Sequence, residues 1–197
     1  CTTSDKERGE NIVDFPHYPV RIYPIGPLDK DSSGLILMTN DGEIVNKILR
    51  GSNYHEKEYV VRVNQPLTGE FLDRMRSGVE ILDTVTRPCK VEKTGGYTFR
   101  ITLTQGLNRQ IRRMCDALGY RVVSLKRVRI MNIRLGDLAS GAYREITGEE
   151  KKELERLLGD SDSRPGGRER RPQRPEEQVE TGKGKRIWRT RSNGSES

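Results

Sequence analysis

After Gly159 the chain almost stops offering apolar side chains. From Asp160 to Ser197 only Val179, Ile187 and Trp188 are large and apolar, against ten Lys or Arg and seven Asp or Glu. Such a segment cannot bury enough surface to offset its ordering entropy, so 160–197 is predicted to be a disordered basic tail. It serves either as a solvated extension or as a weak, salt-dependent contact with RNA. The globular fold must therefore come from residues 1–159, a length that suits one ordinary domain.

Within that span strand and helix signals are mixed. Stretches rich in β-branched and aromatic residues predict strands at 34–39, 57–63 ("KEYVVRV"), 87–93, 96–104 ("GYTFRITLT"), 121–133 and 143–146. The "TGGY" at 94–97 predicts a hairpin turn. Helices are expected at 41–50, 69–77, 108–118 and 147–158, the last opening with a Thr147–Glu150 capping box and stopping at Gly159. Strands outnumber helices and do not alternate strictly with them, which argues for an α+β fold on a mixed, largely antiparallel sheet.

The net charge of +7 favours a polyanionic partner, nucleic acid before acidic membrane. No apolar run is long enough to span a bilayer and the first residues are polar, so a soluble, cytoplasmic protein is expected. Cys1, Cys89 and Cys115, with His17 and His55, show no zinc-ligand spacing, from which a reducing compartment and no metal follow. Cys1 at the start has two readings, the lipidated first residue of a mature lipoprotein or the edge of a fragment. Nothing else in the sequence looks extracellular, which favours the fragment.

The stretch "QGLNRQIRRMCDALGYRVVSLKRVRI" at 105–130 carries the strongest functional signal. Between Arg109 and Arg129 it holds seven basic residues against one acid, Asp116. Asn108 suits an N-cap and Gly119 a C-terminal stop, predicting a helix over 109–118. At 100° per residue Ile111, Met114, Cys115 and Leu118 share one side, and Arg109, Arg112, Arg113 and Asp116 the other. Three arginines in the first turns oppose the helix dipole by about 0.3–1 kcal/mol each, so something anionic should compensate them. Exposed amides and arginines at a helix start suit a phosphate or a carboxylate.

"PLDKDSSGLI" at 27–36 raises a separate question, because D-x-D-x-S-G also opens a calcium loop. With Asp29 at position 1, however, Asn40 would fall where a bidentate glutamate is required and Leu37 at position 9. An aspartate in a Gly/Pro/Ser-rich loop is ordinarily a turn or cap residue, and composition alone favours that reading.

Taken together, "GPLDKDSSGLILMTNDGEIVNKIL", "KEYVVRV" and "GLNRQIRRMCDALGYRVVSLKRVRIMNI" resemble, in order, the three motifs of RNA pseudouridine synthases. More narrowly they are similar to the bacterial enzymes acting on ribosomal RNA, a group made of type A for the small ribosomal subunit, with types B, E and F for the large one. The likeness is to the F type in particular. The similarity runs from about Asn11 to Leu158. It implies a bent mixed sheet around one RNA-binding cleft, no cofactor, no metal, and isomerisation of a uridine in large-subunit ribosomal RNA or transfer RNA by a monomer. By the same resemblance Asp29 is the catalytic aspartate, Tyr59 stacks on the target base, and Arg112 pairs with the aspartate. Leu125, Lys57 and Asn108 are then substrate-binding, and Arg109, Gln110, Arg113, Lys126, Arg127 and Arg129 form an RNA-binding rim.

Two departures stand out. The family usually carries G-R-L-D, its arginine entering the space left by the flipped base, whereas this chain has Gly26-Pro27-Leu28-Asp29; proline supplies neither cation nor donor. The apolar strand and small RNA-binding domain that usually precede this region are also missing, so residues 1–159 are expected to be an N-terminally truncated catalytic domain. A non-catalytic RNA-binding or ribosome-assembly module is the alternative reading, and a calcium-dependent or membrane-surface protein a third.

Overall fold

The computed structural model describes residues 19–50 and 55–162. Cys1, His17 and the Arg-rich segment from 163 onward lie outside the described residues. In chain order the elements are β1 (Tyr23–Ile25), β2 (Ser33–Gly34), β3 (Leu37–Thr39), α1 (Gly42–Arg50), β4 (Lys57–Val63), α2 (Gly69–Ser77), β5 (Glu80–Ile81) and β6 (Thr84–Val85). They continue with β7 (Lys90–Lys93), β8 (Thr98–Leu103), α3 (Gln110–Ala117), β9 (Val122–Ile130), β10 (Ile133–Arg134) and α4 (Gly148–Asp162).

The main sheet runs β10-β9-β4-β8-β7, with β2 added to β9. Every pairing in it is antiparallel except β2 with β9, so the sheet is mixed and largely antiparallel as the sequence pattern implied. Period-2 alternation sets one face of β4 and β8 into the core, with Val61, Val63, Phe99, Ile101 and Leu103 all buried. Phe71, Leu72 and Met75 of α2, and Ile111, Met114 and Cys115 of α3, close over that face. A second cluster joins Ile25, Leu35 and Leu37 to Ile48 of α1, Ile130 and Ile133, and Leu154 and Leu158 of α4.

Local signals account for most boundaries. Thr68 caps α2 by accepting from Phe71 N, and Gly78 ends it at φ +113°. The capping box at 147–150 closes in both directions, Thr147 N to Glu150 Oε2 at 2.8 Å and Glu150 N to Thr147 Oγ1 at 3.1 Å.

Several expected elements differ. The strand expected at 34–39 divides, because Gly34 pairs with β9 while Leu37–Thr39 pairs with β1. The strand expected at 121–133 breaks at Met131, whose left-handed φ of +51° starts the turn into β10. Residues 143–146 form no strand, and Arg144 instead pairs with Glu150 at the start of α4. The last helix passes through Gly159 to Asp162, a helical glycine costing only about 1 kcal/mol relative to alanine. The β5–β6 hairpin turns through Leu82 and Asp83, both at positive φ, with neither Gly nor Asn to signal it.

Gly34 sets the closest backbone approach. At φ +108°, an added Cβ would meet Arg127 O at 2.2 Å. Gly34→Ala is expected to lower the unfolding free energy by at least about 2 kcal/mol, read by urea denaturation. Gly148→Ala, where nothing lies within 4 Å of the added atom, should change it by less than about 1 kcal/mol and toward stability. A parent-like stability for Gly34→Ala would contradict the close approach.

Candidate active site

The loop from Gly26 to Leu35 runs beside β9 and faces the start of α3. Ser32 folds back on Asp29, its hydroxyl donating to Asp29 Oδ1 and its amide to Asp29 O at 3.1 Å. This arrangement turns the other carboxylate oxygen outward. Asp29 Oδ2 stands 3.6 Å from Arg109 Nη1 and 3.7 Å from Arg112 Nε. Arg109 Nη1 also pairs with Asp31 at 3.1 Å, and Arg112 Nη2 donates to the Asp31 carbonyl at 2.6 Å. Hydrogen bonding from Arg109, opposed by slight desolvation, holds the Asp31 carboxyl below its ordinary range.

Arg112 is largely buried, and its Nε makes no hydrogen bond even though it is shielded from solvent. The expectation that something anionic compensates the α3 arginines is met by the two aspartates of this loop. Their engagement with arginines also leaves the calcium reading without its leading ligands.

The N-cap of α3 is Arg109 rather than Asn108. Arg109 adopts a left-handed φ of +48° with no side-chain cap bond, a conformation that costs a non-glycine residue of order 1 kcal/mol or more. Asn108 instead accepts from Arg113, through its carbonyl and its Oδ1. The strained turn aims Arg109 back across the cleft toward the aspartates.

Between loop and helix lies a cleft of about 410 Å³. Pro27, Leu28, Asp29 and Ser32 form one wall, Gln105 to Ile111 the opposite one, and Leu103 and Leu125 are apolar surface between them. Tyr59 and Arg127 complete the lining, the tyrosine half-buried against the core. Asp29, Tyr59, Leu125, Asn108 and Arg109, drawn from distant parts of the chain, thus converge on one cavity, with Arg112 behind the carboxylate.

Other expected site residues are placed differently. Gln110 is not on an RNA-binding rim: it is buried, accepts from Leu107 N at 3.0 Å, and thereby closes the loop onto α3. Arg127 is 2% exposed and lies inside the cleft wall. Arg129 is also removed from the rim, held by Glu58 at 2.8 Å and Glu56 at 3.0 Å. Lys126 is exposed but, by strand alternation, on the face opposite Leu125 and Arg127. Lys57 is not among the cleft-lining residues; its ammonium packs behind Gly106, and burial, then the charge of Arg127, lowers its proton affinity. Of the expected rim, Arg109 and Arg113 remain beside the cleft.

The profile of the family described as RNA pseudouridylate synthase matches residues 1–117. This chain belongs to that family. The dual-specificity RNA pseudouridine synthase RluF of Salmonella typhi is 56% identical over 162 residues, which cover 82% of this chain and 56% of that protein. The ribosomal large subunit pseudouridine synthase B of Bacillus subtilis is 36% identical over 79% of this chain and 67% of its own length. A crystal structure of a pseudouridylate synthase superposes with a TM-score of 0.65 at 32% identity, covering 68% of this chain and 59% of the other. The chain thus spans just over half the length of the RluF relatives it matches.

The family pattern is legible in Asp29, Tyr59, Arg112 and Leu125. Ser32 belongs to the same motif, three residues after Asp29, yet is absent from the expected site residues. Arg127, expected on the rim, lines the cleft, on the face that parity with Leu125 gives it. Pro27 brings its ring into the wall where the pseudouridine synthase motif usually has arginine.

The opposite face of the sheet carries an ion-pair network around Glu58. Burial opposes its ionisation, but hydrogen bonds from Arg129 and Arg100 more than offset it, so the carboxyl is held below its ordinary value of 4.5. A depressed folded value means that the unfolded chain binds the proton more readily. Glu58 therefore contributes stability fully present above about pH 4.5 and lost as pH falls through the folded value. Glu58→Gln should cost about 1–3 kcal/mol near neutral pH in urea unfolding, and its deficit relative to the parent should narrow below about pH 4. A deficit independent of pH would contradict the network's role.

Proposed function

We propose that this chain carries the catalytic domain of an RNA pseudouridine synthase, in which Asp29 acts on a uridine flipped into the cleft. The observation that carries this reading is a carboxylate with one oxygen fixed by Ser32 and the other facing two arginines at the edge of an apolar cavity. The reaction breaks the C1′–N1 bond, turns the uracil, and joins C5 to C1′; C5 then loses its proton and N1 gains one. An ionised carboxylate serves either as nucleophile at C1′ or as base in an elimination. Both routes need a carboxylate held in place at the cleft, and Arg109 and Arg112 stand 3.6 and 3.7 Å from Asp29 Oδ2.

Tyr59 would stack on the extruded base and Leu125 pack beside it, returning about 1–3 kcal/mol per base against an unstacking cost of a few kcal/mol. Asn108 is suited to contact the nucleotide from the α3 side, and Arg109 and Arg113 to meet its phosphates. Large-subunit ribosomal RNA is the proposed substrate, with transfer RNA as a second one; this is supported by relatives whose names specify dual specificity or the large ribosomal subunit. Action as a monomer is part of the same proposal. RNA substrates suit the cytoplasm, and among the described residues no helix is long and apolar enough to cross a membrane. The domain reading keeps residues 1–159 as catalytic and 160–197 as a basic tail, either solvated or in weak electrostatic contact with RNA.

The test is carbodiimide labelling with primer extension on unmodified large-subunit ribosomal RNA, using the parent and Asp29→Asn. The expected result is a stop at a discrete uridine with the parent and a loss of about 10³-fold or more in the variant, with RNA affinity kept within about 3-fold. Equal activity in the variant would refute the role of Asp29. RNA binding by both proteins with no stop in either would favour a non-catalytic binding module.

A further inference from the structure

The loop that carries Asp29 is fastened at both ends by one side chain of β9. Arg127 Nη2 donates to Gly26 O at 2.7 Å and its Nε to Leu35 O at 2.8 Å. The backbone returns the contact, Leu35 N donating to Arg127 O at 2.8 Å. Asp29, Asp31 and Ser32 all lie between those two anchored carbonyls. Tyr59 lies opposite Arg127 in the β4–β9 pairing and lines the same cleft.

Arg127 is 2% exposed, yet among the described residues it forms no ion pair with a carboxylate. A cation buried without a counter-ion is costly, and its retention calls for satisfied donors in a fixed geometry. Two backbone carbonyls provide this. The rigid planar fork of a guanidinium fixes the direction of both bonds, whereas the ammonium of lysine is a single point on a flexible stem. Gly34, whose missing Cβ lets the loop lie on the Arg127 backbone, makes the fit possible.

We propose that Arg127 is a positioning residue: through two loop carbonyls it holds the Asp29 loop on β9 and so sets the Asp29 carboxylate relative to the Tyr59 ring that lines the same cleft. The catalytic part of this proposal rests on the reading of the cleft as an isomerase site. A displacement of about 1 Å between a catalytic group and its partner is enough to cost about 10²-fold in rate.

The test uses Arg127→Lys, which keeps the charge but loses the planar fork, and Arg127→Ala with added guanidinium ion. Backbone hydrogen exchange without RNA should quicken by about 10-fold or more over residues 26–36 in Arg127→Lys, with β4 and β8 unchanged. The isomerisation kcat should fall about 10²-fold at a KM within about 3-fold, and guanidinium should restore part of the kcat of Arg127→Ala. Unchanged exchange over 26–36 in Arg127→Lys would overturn the proposal. So would exchange that quickens across the whole domain in step with the lost activity, since that describes a general destabilisation. If Arg127→Ala does not fold, Arg127→Lys alone decides between these outcomes. A parent that isomerises no uridine would remove the functional reading separately, because loop exchange is read without RNA.

Discussion

Two aspartates of one loop and two arginines of one helix, about eighty residues apart in the chain, neutralise each other at the mouth of the cleft. Each side would be in difficulty without the other. Arginines at the start of α3 oppose its dipole, and Arg109 adopts a left-handed backbone to reach across. Asp29 and Asp31, two carboxylates on one short loop, would repel each other without cations nearby. The pairing therefore docks α3 on the loop and orients the Asp29 carboxylate by one set of contacts.

That mutual dependence explains why the site is built from separate elements. The sheet brings Tyr59 of β4 and Leu125 of β9 to one face, α3 presents its guanidinium face, and the loop supplies the carboxylate. Arg127 then ties loop to sheet from inside. Gln110, Glu58 and Arg127, three of the polar groups removed from solvent, each complete hydrogen bonds that hold an element in register.

Much of this is legible in the sequence. Alternation in "KEYVVRV" and "TFRITL" identifies the paired central strands, and the amphipathic pattern of 108–118 identifies α3 and its core face. The L-D-x-x-S spacing and the arginines of "RQIRR" point to the pair of groups that meet. Composition hides the rest, because charge suggests exposure. It places Arg127 and Arg129 on a rim that burial denies them, although strand parity with Leu125 already separates Arg127 from Lys126. The changes of strand partner after Gly34 and at Met131 arise from tertiary pairing, and no local residue marks the second of them. Leu82 and Asp83 turn a hairpin that has neither glycine nor asparagine, and β5 and β6, two residues each, are too short for alternation to reveal them.

The claim on which everything else rests is that a uridine enters the cleft between Asp29, Tyr59 and Leu125. The direct measurement is photocrosslinking of a large-subunit ribosomal RNA fragment carrying 4-thiouridine at the uridine that gives the carbodiimide stop, with the attached residues read by mass spectrometry. Attachment at Tyr59, Leu125 or the 27–32 loop is the predicted result. Attachment on the opposite face of the sheet, at Arg62, Arg100 or Lys126, would contradict it.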